Sequence, residues 1–196
     1  MNNYILGIIF SIGSISEGRL IFRHKHRYFL EQIQILCKNE IYEQINKTKI
    51  QYVLKTKHFD IEKLKAIGWT DRNASVRYLP RLNDYRDFMR AYIELHSSLD
   101  YSTRYRYRNR KEKYKALRLR IYGNKKLIGN LNTVLHIHVG VKLKAVQTLN
   151  NNKTAYITYT SLGEIENIFS YVNGSPCFKE FWRDVYNKLD KPAFYP

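Results

Sequence analysis

Arginine recurs at alternate positions in Ser102-Thr-Arg-Tyr-Arg-Tyr-Arg108. In an extended strand alternate side chains share a face. Ser102, Arg104, Arg106 and Arg108 would therefore stand in one row, and Tyr101, Thr103, Tyr105 and Tyr107 in the opposite row. Farther on, Ala116, Arg118 and Arg120 alternate with Leu117, Leu119 and Ile121. The leucine side must face a core, which turns the arginines outward. A guanidinium fork can bridge O6 and N7 of guanine or clamp a phosphate. The N-terminal part of the chain offers a similar set in Arg19, Arg23, Lys25, Gln51, Lys55 and Lys57, and Lys142 and Lys144 add to it later. Charged residues on a strand are commonly just a wet sheet face; the overall charge decides against that here.

Lys and Arg number 34 against 17 Asp and Glu, a net charge of +17. A folded chain with this excess repels itself, and a polyanionic partner is the natural explanation. No long helix sets a basic face against an apolar one, so nucleic acid is preferred to an anionic membrane surface. Tyr4 to Ile15 is the only apolar N-terminal run; it is too short to span a bilayer and has no basic segment before it.

Metal chemistry finds little support. Cys37 and Cys177 lie far apart with no zinc spacing to histidines. Arg23-His-Lys-His26 sets two imidazoles among cations, and His136 and His138 have no third ligand nearby. No cofactor is expected.

The elements that must position these side chains form a weak repeat. The first unit reads as a buried helix (4–15), a strand (19–25) after the Glu17-Gly18 turn, a helix (27–38), strands at 40–46 and 49–57, and a short helix from Asp60 to Gly68. Residues 70–83 form a connector, in which Asp71, Arg72 and Asn73 read as bracing rather than as DNA-backbone contacts. The second unit reads as a helix (84–96), a hairpin (98–108 and 113–122) about an Asn109-to-Glu112 turn, and a helix capped by Asn124. A second hairpin (142–149 and 154–160) and a helix (162–172) capped by Ser161 follow. A last amphipathic helix from Cys177 to Leu189 carries Phe178, Phe181, Trp182, Val185 and Leu189 on one stripe, suited to docking on the body or on a second copy.

This αββαββα order, twice, resembles the single-chain LAGLIDADG homing endonucleases over residues 3–173. The nine-residue motif fits Ile5-Leu-Gly-Ile-Ile-Phe-Ser-Ile-Gly13. A second copy fits Met89-Arg-Ala-Tyr-Ile-Glu-Leu-His-Ser97, with Ala91 and Ser97 in place of the glycines, flanked by Phe88 and by Ser98-Leu99. The resemblance implies an α+β fold of two pseudo-symmetric halves (1–69 and 84–174) joined by the connector 70–83 and followed by a C-terminal helix and tail, 175–196. It implies two motif helices in contact through Gly7, Ser11, Gly13, Ala91 and Ser97, and antiparallel sheets forming a saddle over double-stranded DNA. Arg19, Arg23, Lys25, Gln51, Lys55, Lys57, Ser102, Arg104, Arg106, Arg108, Arg118, Arg120, Lys142 and Lys144 would line it.

In that family an acid at the eighth motif position of each copy binds the divalent metal. Here the positions hold Ile12 and His96. Mg²⁺ requires hard oxygen ligands, which isoleucine cannot supply, and one imidazole does not make a two-metal site. Glu94 lies two residues earlier, ~200° around the helix, and should not reach the same place. The expectation is a sequence-specific DNA binder without nuclease chemistry, serving as a repressor or activator. It would be monomeric on DNA and cytoplasmic, bacterial or phage-encoded and associated with the nucleoid, with a further regulatory protein as a second partner. The alternatives are an active homing endonuclease, drawing on Glu17, Glu94 or Asp100, and an RNA-binding, maturase-like splicing factor. Charge alone does not separate DNA from RNA.

Overall fold

The computed structural model describes residues 1–46, 49–71, 74, 76–106, 109–149 and 154–190, with only the backbone described at 46, 106 and 109–112. The chain is mixed α+β and divides into two compact units, Met1–Leu95 and His96–Pro196. Each contains a four-stranded antiparallel sheet.

In the first unit, α1 (Asn3–Ile12) leads into β1 (Gly13–Ser16) and β2 (Arg19–His24). The remaining elements are α2 (Tyr28–Cys37), β3 (Ile41–Asn46), β4 (Lys49–Thr56), α3 (Ile61–Ala66) and α4 (Arg86–His96). The sheet order is β1-β2-β4-β3. Every residue of α1 from Tyr4 to Ile12 is buried. The helix ends three residues earlier than its apolar run suggests, because the run is shared between a helix and a strand. Gly13 is extended, and Gly13 to Ser16 pair with Phe22 to Arg19. Glu17 and Gly18 both adopt positive φ, the two-residue geometry whose twist matches a hairpin. Asp60 caps α3 as expected, accepting from the backbone N–H groups of Glu62 and Lys63.

In the second unit, β5 (Ser97–Arg106) and β6 (Asn109–Gly123) form a long hairpin, followed by α5 (Lys125–Val139). Then come β7 (Gln147–Thr148), β8 (Ala155–Tyr159), α6 (Leu162–Val172) and α7 (Lys179–Leu189). The sheet order β5-β6-β8-β7 repeats that of the first unit. Asn124 caps α5 through the Lys126 N–H, and Gly140 closes it at φ 76°.

Three details differ from the reading of the sequence. Asn109 to Glu112 are the first residues of β6 rather than a turn. Lys142 to Val146 form no strand: Lys142 and Lys144 donate their backbone N–H groups to the side chains of Glu164 and Asn132, which removes them from a ladder. Ser161 sits at the N-cap of α6 but its hydroxyl makes no capping bond. The C-terminal stripe docks within the chain: Trp182 and Val185 are buried, with Trp182 edge-on to Phe169 at 5.8 Å between ring centroids. Lys188 Nζ donates to the Leu99 carbonyl at 2.8 Å, and Tyr101 donates its hydroxyl to the Lys188 carbonyl.

Candidate nucleic-acid interface

The core side of the first sheet is set by Leu20, Phe22 and Leu54, all essentially buried. Strand alternation then places Arg19 and Arg23 with Gln51 and Lys55 on the opposite face. Ser14 and Ser16 of β1, and Tyr42 and Gln44 of β3, extend that face by their register. Arg19 and Lys55 are exposed, and Lys55 Nζ lies 6.0 Å from the centre of the Tyr42 ring, within cation–π range. Ile21 and Val53 share the basic face yet are buried, so its charged side chains surround an apolar centre. Lys25 and Lys57 lie just beyond the ends of β2 and β4, both exposed.

In the second sheet Leu99, Leu117, Leu119 and Ile121 are buried on one side. The opposite side carries Ser98, Asp100, Ser102 and Arg104 of β5 against Arg120, Arg118, Ala116 and Tyr114 of β6. Thr158 and Tyr156 of β8 continue it beside Arg120 and Tyr122. Arg104 is exposed. Arg106 is described by its backbone alone, and Arg108 lies outside the described residues, as do Arg72 and Asn73 of the connector.

Two of the arginines are not free. Asp100 accepts from Arg118 Nε at 2.8 Å and Arg118 Nη2 at 3.1 Å, and from Arg120 Nη2 at 2.6 Å. The bond from Arg118, followed by those from Arg120, holds the Asp100 carboxyl below the usual aspartate range. Arg120 also lies over the Tyr122 ring at 5.7 Å. This acid was readable as an opposite-charge cross-strand partner, since Asp100 sits in the same alternate row as the arginines. Lys144 is likewise occupied. Its ammonium meets Glu164 at 2.7 Å and lies 5.2 Å from the Tyr159 ring. Burial alone would raise the Glu164 carboxyl, but Lys144 and the Lys142 N–H outweigh it and hold it low. Lys142 is exposed.

α4 packs on α1 within the first unit. A Cβ on Gly7 would lie 2.6 Å from the Phe88 carbonyl oxygen and 2.8 Å from Ala91 Cβ, so Gly7 and Ala91 permit the close approach. Ser11 is buried in α1 with no hydrogen-bond partner for its hydroxyl among the described residues. Gly13 and Ser97 are not helical: they open β1 and β5. A Cβ on Gly13 would meet the Ile9 carbonyl oxygen of its own chain segment at 2.6 Å. The end of α1 is braced by Trp69, just before the connector, and by Arg77 within it, two residues that the sequence reading does not single out. Trp69 Nε1 donates to the Ile9 carbonyl at 3.1 Å and Arg77 Nη1 to the Phe10 carbonyl at 2.8 Å.

Ile12 and His96 are the last residues of α1 and α4. Ile12 is 7% exposed and purely apolar, and these two residues do not fit a hard divalent cation. The nearby acids stand elsewhere. Glu17 occupies the β1–β2 turn. Glu94 is buried and accepts the Tyr4 hydroxyl at 2.5 Å; burial, then this carboxylate, pushes that hydroxyl above the usual tyrosine range. Asp100 holds its two arginines. Among the described residues no three His, Cys, Asp or Glu side chains converge on a metal-sized site, and no helix is long and apolar enough to cross a membrane.

No family model and no curated protein matches the chain in sequence. Solved structures do match in shape. The I-LtrWI LAGLIDADG homing endonuclease bound to target DNA superposes at a TM-score of 0.63 with 15% identity, over 96% of this chain and 89% of that one. The meganuclease I-SmaMI bound to uncleaveable DNA superposes at 0.62 with 10% identity, over 96% and 90%. I-SmaMI bound to cleaved DNA gives 0.56 with 10% identity, over 97% and 92%. With its two repeated sheets and its glycine-dependent pair of motif helices, this chain has the fold of the LAGLIDADG homing endonucleases.

Proposed function

We propose that the protein binds duplex DNA sequence-specifically and holds it without cutting it, as a repressor or activator does. The observation that carries this reading is the pairing of basic sheet faces with motif ends that lack an acid, Ile12 and His96. Neighbours of the same fold bound to DNA support the choice of duplex. Arg19, Arg23, Lys25, Gln51, Lys55 and Lys57 serve the first half, residues 1–69. Ser102, Arg104, Arg106, Arg108, Arg118, Arg120 and Lys142 serve the second, residues 84–174. The exposed cations hold phosphates and the ordered arginines read base edges. Lys144, tied to Glu164, braces the end of the sheet instead.

The test is a titration with duplex fragments from the gene's own neighbourhood, with and without Mg²⁺ or Mn²⁺. Binding is read by gel shift and strand integrity on a denaturing gel. The expected result is a site-selective shift with intact strands under every condition. Metal-dependent cuts at a defined position would make the protein an endonuclease. Preferential binding of a structured RNA over the duplex would overturn the DNA assignment.

A further inference from the structure

On the outward face of the second sheet, one carboxylate organises two guanidinium groups. Asp100 and Arg118 are direct cross-strand partners, and Arg120 lies two residues along β6 on the same face. Arg118 gives Asp100 its Nε and one Nη2 hydrogen. That engages one side of the guanidinium plane and leaves the far edge, Nη1 with the second Nη2 hydrogen, without a partner among the described residues. The far edge has the spacing that O6 and N7 of guanine require. Arg120 is fixed from two directions, by Asp100 and by stacking on Tyr122. Its Nε–H is buried with no partner among the described residues. All three side chains remain about a third exposed, at 30% for Arg118, 28% for Arg120 and 36% for Asp100.

An acid on a DNA-facing surface is costly if its neighbours serve only as phosphate clamps, because it cancels their charge and repels the backbone. It is useful if they read bases, because a held fork loses less freedom on binding than a swinging one. We infer that Asp100 is a specificity-determining positioning residue: it sacrifices general DNA affinity to hold Arg118, and secondarily Arg120, in the orientation that reads guanine. This rests on the duplex-binding reading above and deepens it.

The experiment begins by enriching a randomised duplex pool on the wild-type protein. Affinity is then measured for the enriched duplex and for a scrambled one of equal composition. Asp100→Asn is expected to weaken the enriched duplex on the order of tenfold, the worth of one good bidentate contact. The scrambled duplex should bind as tightly as before or more tightly, and its log K against log salt should steepen by about one as a freed arginine finds a phosphate. Asp100→Glu keeps the charge but shifts the carboxylate; it should lose selectivity without gaining general affinity. In an Arg118→Lys background, Asp100→Asn should remove little further selectivity, since lysine offers no fork to hold. A selectivity ratio unchanged in Asp100→Asn, or an equal loss on both duplexes, overturns the inference and leaves duplex binding standing. A wild-type protein that enriches no duplex overturns both.

Discussion

Gly7→Ala and Gly129→Ala, chemically the same change, are expected to move stability in opposite directions. Both glycines are helical, one in α1 and one in α5. Around Gly129 a new Cβ would meet nothing within 4 Å, so alanine there should stabilise by up to about 1 kcal/mol through helix propensity alone. At Gly7 the methyl would sit 2.6 Å from the Phe88 carbonyl oxygen and 2.8 Å from Ala91 Cβ. The first of these is backbone, which cannot rotate away, so α1 and α4 must separate along a face where Phe10 packs edge-on against Phe88. Overpacking of this kind costs about 1–3 kcal/mol, and more where the neighbour cannot yield. Gly7→Leu should leave no cooperatively folded protein. Urea unfolding of the three variants checks this; a Gly7→Ala midpoint at or above that of the wild type would mean that the helices do not approach as described.

The second large effect concerns salt. If exposed cations on both sheets hold phosphates, binding should fall by roughly a thousandfold or more between 50 and 200 mM salt, the behaviour of a protein making about 6–10 phosphate contacts. Replacing Arg19, Lys55 and Arg104 together by glutamine should flatten the slope of log K against log salt by about 2.7, at ~0.9 per phosphate. Each of these residues is exposed, so stability should change little. The measurement is fluorescence anisotropy of a labelled duplex across a salt series. A slope near zero in the wild-type protein would show that its charge serves something other than a polyphosphate backbone.

Much of the architecture was legible because local signals agreed with one another. The alternation of Arg118 and Arg120 with Leu117, Leu119 and Ile121 assigns the two faces of β6 by period alone, and the burial of the apolar row follows. Asp60 and Asn124 mark helix starts through bonds confined to a few residues. What was not legible depends on partners far along the chain. Nothing near Lys142 or Lys144 announces that Glu164 and Asn132 will take their N–H groups from a strand. Trp69 and Arg77 reach back some sixty residues to carbonyls of α1. At the candidate site the basic rows are visible in the sequence, whereas the pairing of Asp100 with two of their members depends on the cross-strand register. Alternation places side chains on a face; it does not say which of them are already engaged there.

The position of α4 has a consequence for how the protein could be divided. By repeat, α4 opens the second half; by packing, it belongs with α1 in the first unit. A cut through the connector would therefore leave both fragments with an uncovered sticky stripe, one around Gly7 and Phe10 and the other around Phe88 and Ala91. Neither piece should be soluble when produced by itself, yet the two made together should find one another, each acting as the chaperone of its counterpart.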